Sequence, residues 1–337
     1  MHQSEEKIAL KFLDLFCGIG GFRIAVEMVC QERNLNPVCV FSSDIDSDAQ
    51  KAYLANFGEQ PAGDITKIQA QDIPEHDILF AGFPCQPFSI CGDMKGFDDI
   101  RGTLFFEIAR ILQAKQPQAF VLENVKQLKG HNQGQTLRRI METIRSLGYY
   151  ADYHILNALN FGVPQKRERI FIVGFRNQVN FIWPNGDVPM KPLAEILVDD
   201  VPEFYYASEK IRNNRLEKRQ GKKQYSEATI WHENKGGNIS AYPYSCALRA
   251  GASYNYLLVN GERRLTEREM LRLQGFPDSY KIVGSYQAVR KQAGNAVAIP
   301  CVAAVIRSVL DTIAKTSIIT NQLLISLVQV GLNKQTI

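Results

Sequence analysis

An apolar run from Ala9 to Phe16 passes directly into Cys17-Gly18-Ile19-Gly20-Gly21 and then into a helical stretch, Phe22 to Gln31. A buried strand feeding a glycine turn and a helix is the nucleotide-binding arrangement of α/β proteins. In that arrangement a ligand sits at the carboxyl end of the strand, where glycines admit close backbone approach and a helix N-terminus faces the ligand. Gly18-x-Gly20-Gly21 lacks the third spaced glycine of a dinucleotide fingerprint, so a purely structural turn reads equally well on these residues alone. The second apolar run, Pro37 to Ser43, ends in Asp44-Ile45-Asp46. An acid at the tip of a second strand is suited to bind the two hydroxyls of a ribose.

The same rhythm continues. Asp77 to Ala81 reads as a buried strand and ends in Gly82-Phe83-Pro84-Cys85-Gln86-Pro87. Two prolines fix φ and remove donors where a sheet would need them, so this loop presents the Cys85 thiol. The alternative is a small buried cysteine packed as a hydrophobe. The glycine-containing stretch from Gln86 through Ser89 to Arg101 is long enough for a closing loop. Gln118 to Leu122 is another buried strand, ending in Glu123-Asn124-Val125 on the same sheet edge as Cys85, and either a catalytic carboxylate or a solvated loop acid fits there. Helices are expected over Ser47 to Asn56, Thr103 to Ala114 and Gly134 to Leu147, with Tyr150 to Leu156 and Arg169 to Phe175 as an antiparallel pair. Between that pair, alternation places Gln165, Arg167 and Arg169 on one face, either a solvated edge or a guanidinium pair for a carbonyl or phosphate oxygen. Asp64, in Gly63-Asp64-Ile65, is a pocket carboxylate or a turn cap.

After Trp183-Pro184-Asn185-Gly186 the rhythm stops and basic, aromatic and polar residues take over. We therefore expect a catalytic and cofactor-binding domain at 1–185 and a smaller, irregular domain at 186–264. A connecting segment with a capped helix at Leu265 to Leu273 spans 265–293, and a C-terminal part spans 294–337, where Gly294-Asn295-Ala296-Val297 opens a helix running to about Ala314. Net charge is only +4, but Lys210, Arg212, Arg215, Lys218, Arg219, Lys222 and Lys223 crowd one short stretch. Such a run is a solvated face or a contact to nucleic-acid phosphates. The 7 cysteines are scattered, with no Cys-x-x-Cys, which argues against a disulfide framework or structural zinc and for a reducing compartment. No metal site, signal peptide or membrane span is expected, and the chain is expected in the cytoplasm.

Phe16-Cys17-Gly18-Ile19-Gly20-Gly21, Gly82-Phe83-Pro84-Cys85-Gln86, Glu123-Asn124-Val125, Gln165-x-Arg167-x-Arg169 and Gly294-Asn295-Ala296-Val297 stand in the order and spacing of the DNA (cytosine-5) methyltransferases. Over residues 10–310 the chain resembles the small bacterial restriction-modification type of that family. The resemblance implies a Rossmann-like methyltransferase fold, with a mostly parallel mixed sheet, helices on both faces and a smaller target-recognition domain. It implies S-adenosyl-L-methionine as methyl donor, S-adenosyl-L-homocysteine as product, and no metal. The donor pocket would be formed by Phe16, Gly18, Gly20, Gly21, Asp44, Ile45, Asp64, Ile65, Pro84, Leu104, Asn295 and Val297. Family members often carry Glu and a large aromatic residue where this chain has Asp44-Ile45. Cys85 would be the nucleophile, with Glu123 at ring nitrogen 3 and Arg169, helped by Arg167, at the carbonyl of a flipped-out cytosine. Gln86, Ser89, Arg101, Gln165 and the basic run from Lys210 to Lys223 would contact double-stranded DNA. The implied partners are duplex DNA with a short recognition sequence and a cognate restriction endonuclease acting on the same site, the methyltransferase being a monomer. Alternatives are a tRNA methyltransferase of the same fold, whose usual Cys-Phe-Thr motif is absent, an inactive DNA-binding regulator, and a nicotinamide-dependent oxidoreductase resting on the first glycine loop alone.

Overall fold

The computed structural model describes residues 7–84 and 104–333, from 317 onward by backbone only. A six-stranded sheet runs in the order β2-β1-β3-β4-β7-β5, built from β1 (Ala9–Leu15), β2 (Asn36–Ser43), β3 (Ile78–Gly82), β4 (Ala119–Val125), β5 (Tyr150–Asn157) and β7 (Glu168–Phe175). The first four strands pair in parallel, and β7 runs antiparallel to both β4 and β5. The central strands are continuously apolar because both faces are covered. Alternation divides their side chains between two cores. Phe12, Ile78, Phe80 and Val121 enter one with α1 (Gly21–Glu32), whereas Leu13, Leu79, Ala81 and Leu122 enter the other with α3 (Leu104–Lys115) and α4 (Gln135–Ser146). Helix α2 (Ser47–Phe57) starts from Asp46, whose carboxylate accepts from the backbone N–H of Asp48 and Ala49.

Beyond β7 a second, three-stranded sheet has the order β11-β8-β9, from β8 (Ile230–Glu233), β9 (Ile239–Tyr242) and β11 (Leu257–Val259), preceded by α5 (Glu209–Glu217). Two short strands join this part to the main body: β10 (Ser245–Cys246) pairs with β6 (Gln165–Lys166), directly before Arg167. Helix α6 (Glu267–Leu273) carries the expected capping box between Thr266 and Glu269.

One expectation is corrected here. Gly294 and Asn295 do not open the last helix; they close α7 (Tyr286–Asn295), and α8 (Ile299–Asn333) starts only after the extended Ala296. Pro300, the second residue of α8, has no N–H to donate and fits only a first helical turn. The stretch Tyr286–Thr316 is long and apolar enough to cross a bilayer by composition, but 67% of its most apolar window is buried inside the protein. Val302, Val305, Ile306 and Val309 are fully enclosed, which makes α8 a core helix.

Candidate active site at the strand ends

At the carboxyl end of β1 the backbone turns left-handed at Phe16 (φ 54°), Gly18 (φ 53°) and Gly20 (φ 80°), the last being the N-cap of α1. Phe16 is no glycine, so holding it there costs about 1–2 kcal/mol. A Cβ on Gly20 would lie 2.2 Å from the Phe57 ring, and one on Gly21 2.7 Å from Val297 Cγ2, whereas above Gly18 nothing lies within 4 Å. The glycine turn is thus packed on two sides and open on the third. Asp44 fastens it: Oδ2 accepts from Gly18 N at 2.8 Å and Oδ1 from Asp46 N at 2.8 Å. Burial pushes the Asp44 carboxyl above its ordinary range, against the pull of those two N–H groups. Ile45 beside it is 76% exposed, and Pro84 and Asn295 are exposed too. Asp64 Oδ1 accepts from Thr66 N and Oγ1 at 3.0 and 2.7 Å, bonds that hold its carboxyl below the usual range. Ile65 is buried, and Leu104 begins α3 half-buried. A glycine turn with open space over Gly18, beside the half-buried Asp44 and the exposed apolar side chain of Ile45, suits a nucleoside.

Cys85, Gln86, Ser89 and Arg101 lie outside the described residues. The strand that leads to Cys85 is described. Gly82 on β3 stands opposite Glu123 on β4, and Asn124 Nδ2 donates to the Phe83 carbonyl at 3.0 Å, fixing the chain two residues ahead of the cysteine. Glu123 lies inside β4, nearly buried, which removes the solvated-loop alternative. Val125 pairs with Arg169 across to β7, and Arg169 Nε lies 3.0 Å from Glu123 Oε1. That oxygen makes no aligned hydrogen bond. Burial raises the Glu123 carboxyl above its ordinary range, and Arg169, then Arg167, pull it back in part.

Arg167 and Gln165 behave differently from expectation. Arg167 is 2% exposed and donates to three backbone carbonyls: Nη1 to Leu248 at 3.2 Å, and Nη2 to Gly294 at 3.2 Å and Ala296 at 2.6 Å. Gln165 is fully buried; its amide donates to Leu273 O and Gln274 Oε1 and accepts from Leu248 N. With its amide engaged on both sides and no exposed surface, Gln165 is not a DNA contact, and neither residue is on a solvated edge. In the basic run Arg215 is also corrected, being 1% exposed and bonded to Glu233 and to the Asn255 and Trp231 carbonyls. Lys218 and Lys222 donate to the carbonyls of Gly237 and Ile239, Arg219 lies over the Trp231 ring and Lys223 over Tyr225. Lys210 is exposed and Arg212 half-buried.

Four residues with no role assigned from sequence complete the site. Asn124 holds the Phe83 carbonyl, and Gln274 bonds Gln165 and the Ala293 carbonyl. Tyr280 donates to Ile19 O in the glycine turn at 2.9 Å. Asp14, fully buried at the end of β1, has both carboxylate oxygens unpartnered, and burial raises it well above its ordinary range. Asp14 carried a visible signal, an acid inside an apolar run, and Asn124 stands in the Glu123-Asn124-Val125 motif. Among the described residues no group of three His, Cys, Asp or Glu could hold a metal.

Comparison with known proteins identifies the family. Residues 10–311 match the model of the C-5 cytosine-specific DNA methylases. The type II methyltransferase M.NgoBI of Neisseria gonorrhoeae is 54% identical over 297 residues, 87% of this chain and 91% of that one. M.HaeII of Haemophilus aegyptius is 51% identical over 306 residues, 90% and 93% of the two chains, and M.HhaI of Haemophilus parahaemolyticus 39% over 319 residues, 88% and 93%. Among solved structures, a Spodoptera frugiperda DNMT2 variant superposes with a TM-score of 0.68 at 19% identity, over 89% of this chain and 99% of that one, a likeness of fold. The chain belongs to the C-5 cytosine-specific DNA methylases, as a type II, restriction-modification DNA methyltransferase with the α/β methyltransferase fold.

Proposed function

We propose that the chain methylates carbon 5 of a flipped-out cytosine in a short duplex sequence, through a covalent adduct to Cys85 with Glu123 and Arg169 on the ring. The observation that carries this is the Glu123–Arg169 pair, 3.0 Å apart at the end of β4, in register with the β3 end that leads to Cys85. A carboxyl raised by burial is suited to give a proton to ring nitrogen 3 while the Cys85 thiolate adds at carbon 6. Arg169 holds the carbonyl at position 2 as charge develops there. S-adenosylmethionine, when bound, supplies an electrophilic methyl group. The glycine turn, Asp44, Ile45, Asp64, Asn295 and Val297 bind and orient that donor. Loss of the carbon 5 proton and elimination of Cys85 restore the aromatic ring and the free thiol. Flipping is required because the ring is stacked inside the duplex. The segment 186–264 would read the target, with Lys210 and Arg212 on phosphates. We further infer a monomer working in the cytoplasm beside an endonuclease of the same specificity.

Methyl-labelled S-adenosylmethionine and mixed-sequence duplex DNA test this directly, with 5-methylcytosine mapped afterwards. Label at one short motif is expected. Label in tRNA and none in DNA would overturn the reading. Duplex carrying 5-fluorocytosine at that motif should form a denaturation-resistant adduct, and an adduct that persists in Cys85→Ser would remove Cys85 as nucleophile.

A further inference from the structure

Arg167 is spent on backbone. Its two terminal nitrogens hold three carbonyls, and only Nε is left without a partner. Those carbonyls belong to two separate segments. Leu248 follows β10 in the part of the chain that carries the second sheet, while Gly294 and Ala296 bracket Asn295 at the end of α7. Close packing extends the second attachment: Val297 Cγ2 lies 2.7 Å from where a Cβ on Gly21 would be, and Val297 Cγ1 3.7 Å from one on Gly82. The loop that Arg167 grips therefore seats a side chain against both the glycine turn and the strand end before Cys85. The two gripped segments also touch each other, since a Cβ on Gly294 would come within 2.4 Å of Ala250 N. Gln165 and Gln274 reinforce the junction at Leu248 and Ala293, and Arg290 adds donations to the carbonyls of Ala252 and Ser253.

We propose that Arg167 is a positioning residue and not a cytosine contact: it locks the Gly294–Val297 loop against the glycine turn and to the Leu248 segment, and so sets the affinity for the methyl donor. The chemistry favours arginine because three carbonyls in a fixed arrangement match a rigid, planar fork, which a lysine ammonium cannot reproduce. The proposal rests on the donor-binding reading given above. A group acting only on the reaction's charge changes kcat and leaves donor affinity alone, whereas a group holding the pocket wall does the reverse.

The test is calorimetric binding of S-adenosylhomocysteine to the full chain, alongside steady-state methylation with S-adenosylmethionine varied. Arg167→Lys is expected to weaken binding at least tenfold and raise the donor KM in parallel, with kcat at saturating donor within about threefold of the parent. Gly294→Ala disturbs the same junction from its other side, by pressing a Cβ against the Ala250 backbone while leaving the Arg167 side chain intact, and is expected to shift affinity in the same direction. A hundredfold fall in kcat for Arg167→Lys with unchanged binding would overturn the proposal. So would parent-like binding by Gly294→Ala, which decides the matter if Arg167→Lys does not fold. Failure of the parent chain to label DNA would count against the proposed reaction, while the binding comparison still judges Arg167.

Discussion

Two buried acids, Asp14 on β1 and Glu123 on β4, show how one kind of side chain serves opposite ends. Glu123 is paired and Asp14 is not. With its folded pKa raised by burial, Asp14 contributes stability that is fully present below its unfolded value of about 3.8 and is lost as pH rises through the folded value. Asp14→Asn should therefore gain on the parent as pH climbs above 4, by about 1–3 kcal/mol once the parent's carboxyl is ionised. Thermal melts at pH 5 and pH 8 would show it; an equal difference at both pH values would contradict the burial argument. Glu123 is needed protonated in the proposed reaction. Its raised pKa keeps that form populated, and kcat should fall as pH rises through that value. Glu123→Gln should lose about a hundredfold or more in kcat, together with that alkaline limb, in single-turnover rates across pH.

At the scale of elements, the strand ends were legible in the sequence because apolar runs stop sharply at Gly, Asp or Glu, and the sheet places those stops along one edge. What surrounds Arg167 was not legible. Alternation assigns faces only while a strand continues, and β6 ends after two residues, so Arg167 sits between strands and turns inward. The late start of α8 was readable in principle from Pro300, but the unbroken apolar run hid it. The glycine turn was readable as a turn, though its packing was not. Gly20→Ala must accept both a left-handed φ of 80° and a Cβ 2.2 Å from Phe57, so we expect about 3 kcal/mol of lost stability in denaturant melts. Gly18→Ala, which meets nothing within 4 Å, should lose only the backbone share. Similar losses at both positions would show that packing against α2 does not matter.

For the whole molecule, charge placement decides how DNA is held. The basic run reads in sequence as one phosphate-binding stripe, yet Arg215 is interior and Lys218 and Lys222 are tied to carbonyls. Neutralising Lys210 and Arg212 to Gln should flatten the dependence of log K on log salt by up to about 2, close to one per phosphate contact removed. Arg215→Ala should leave that slope alone and lower the melting temperature, because it strips a partner from Glu233. Equal slopes for all three variants, measured by titration against short duplexes, would return the run to a plain solvated face. The same long-range view applies to α8. Arg307 clasps Glu32 at 2.6 Å and Arg33 clasps Asp311 at 2.7 Å, while Asn36 N donates to Ile8 O at 2.9 Å. The beginning of β1 and the Arg307–Asp311 stretch of α8 therefore meet beside the same helix terminus. A short linker could join them and the chain could open instead at exposed Gly221, leaving every strand pairing of the sheet intact. The linear order of the five motifs is thus a property of the gene more than of the enzyme, and a circular permutant should methylate the same sequence.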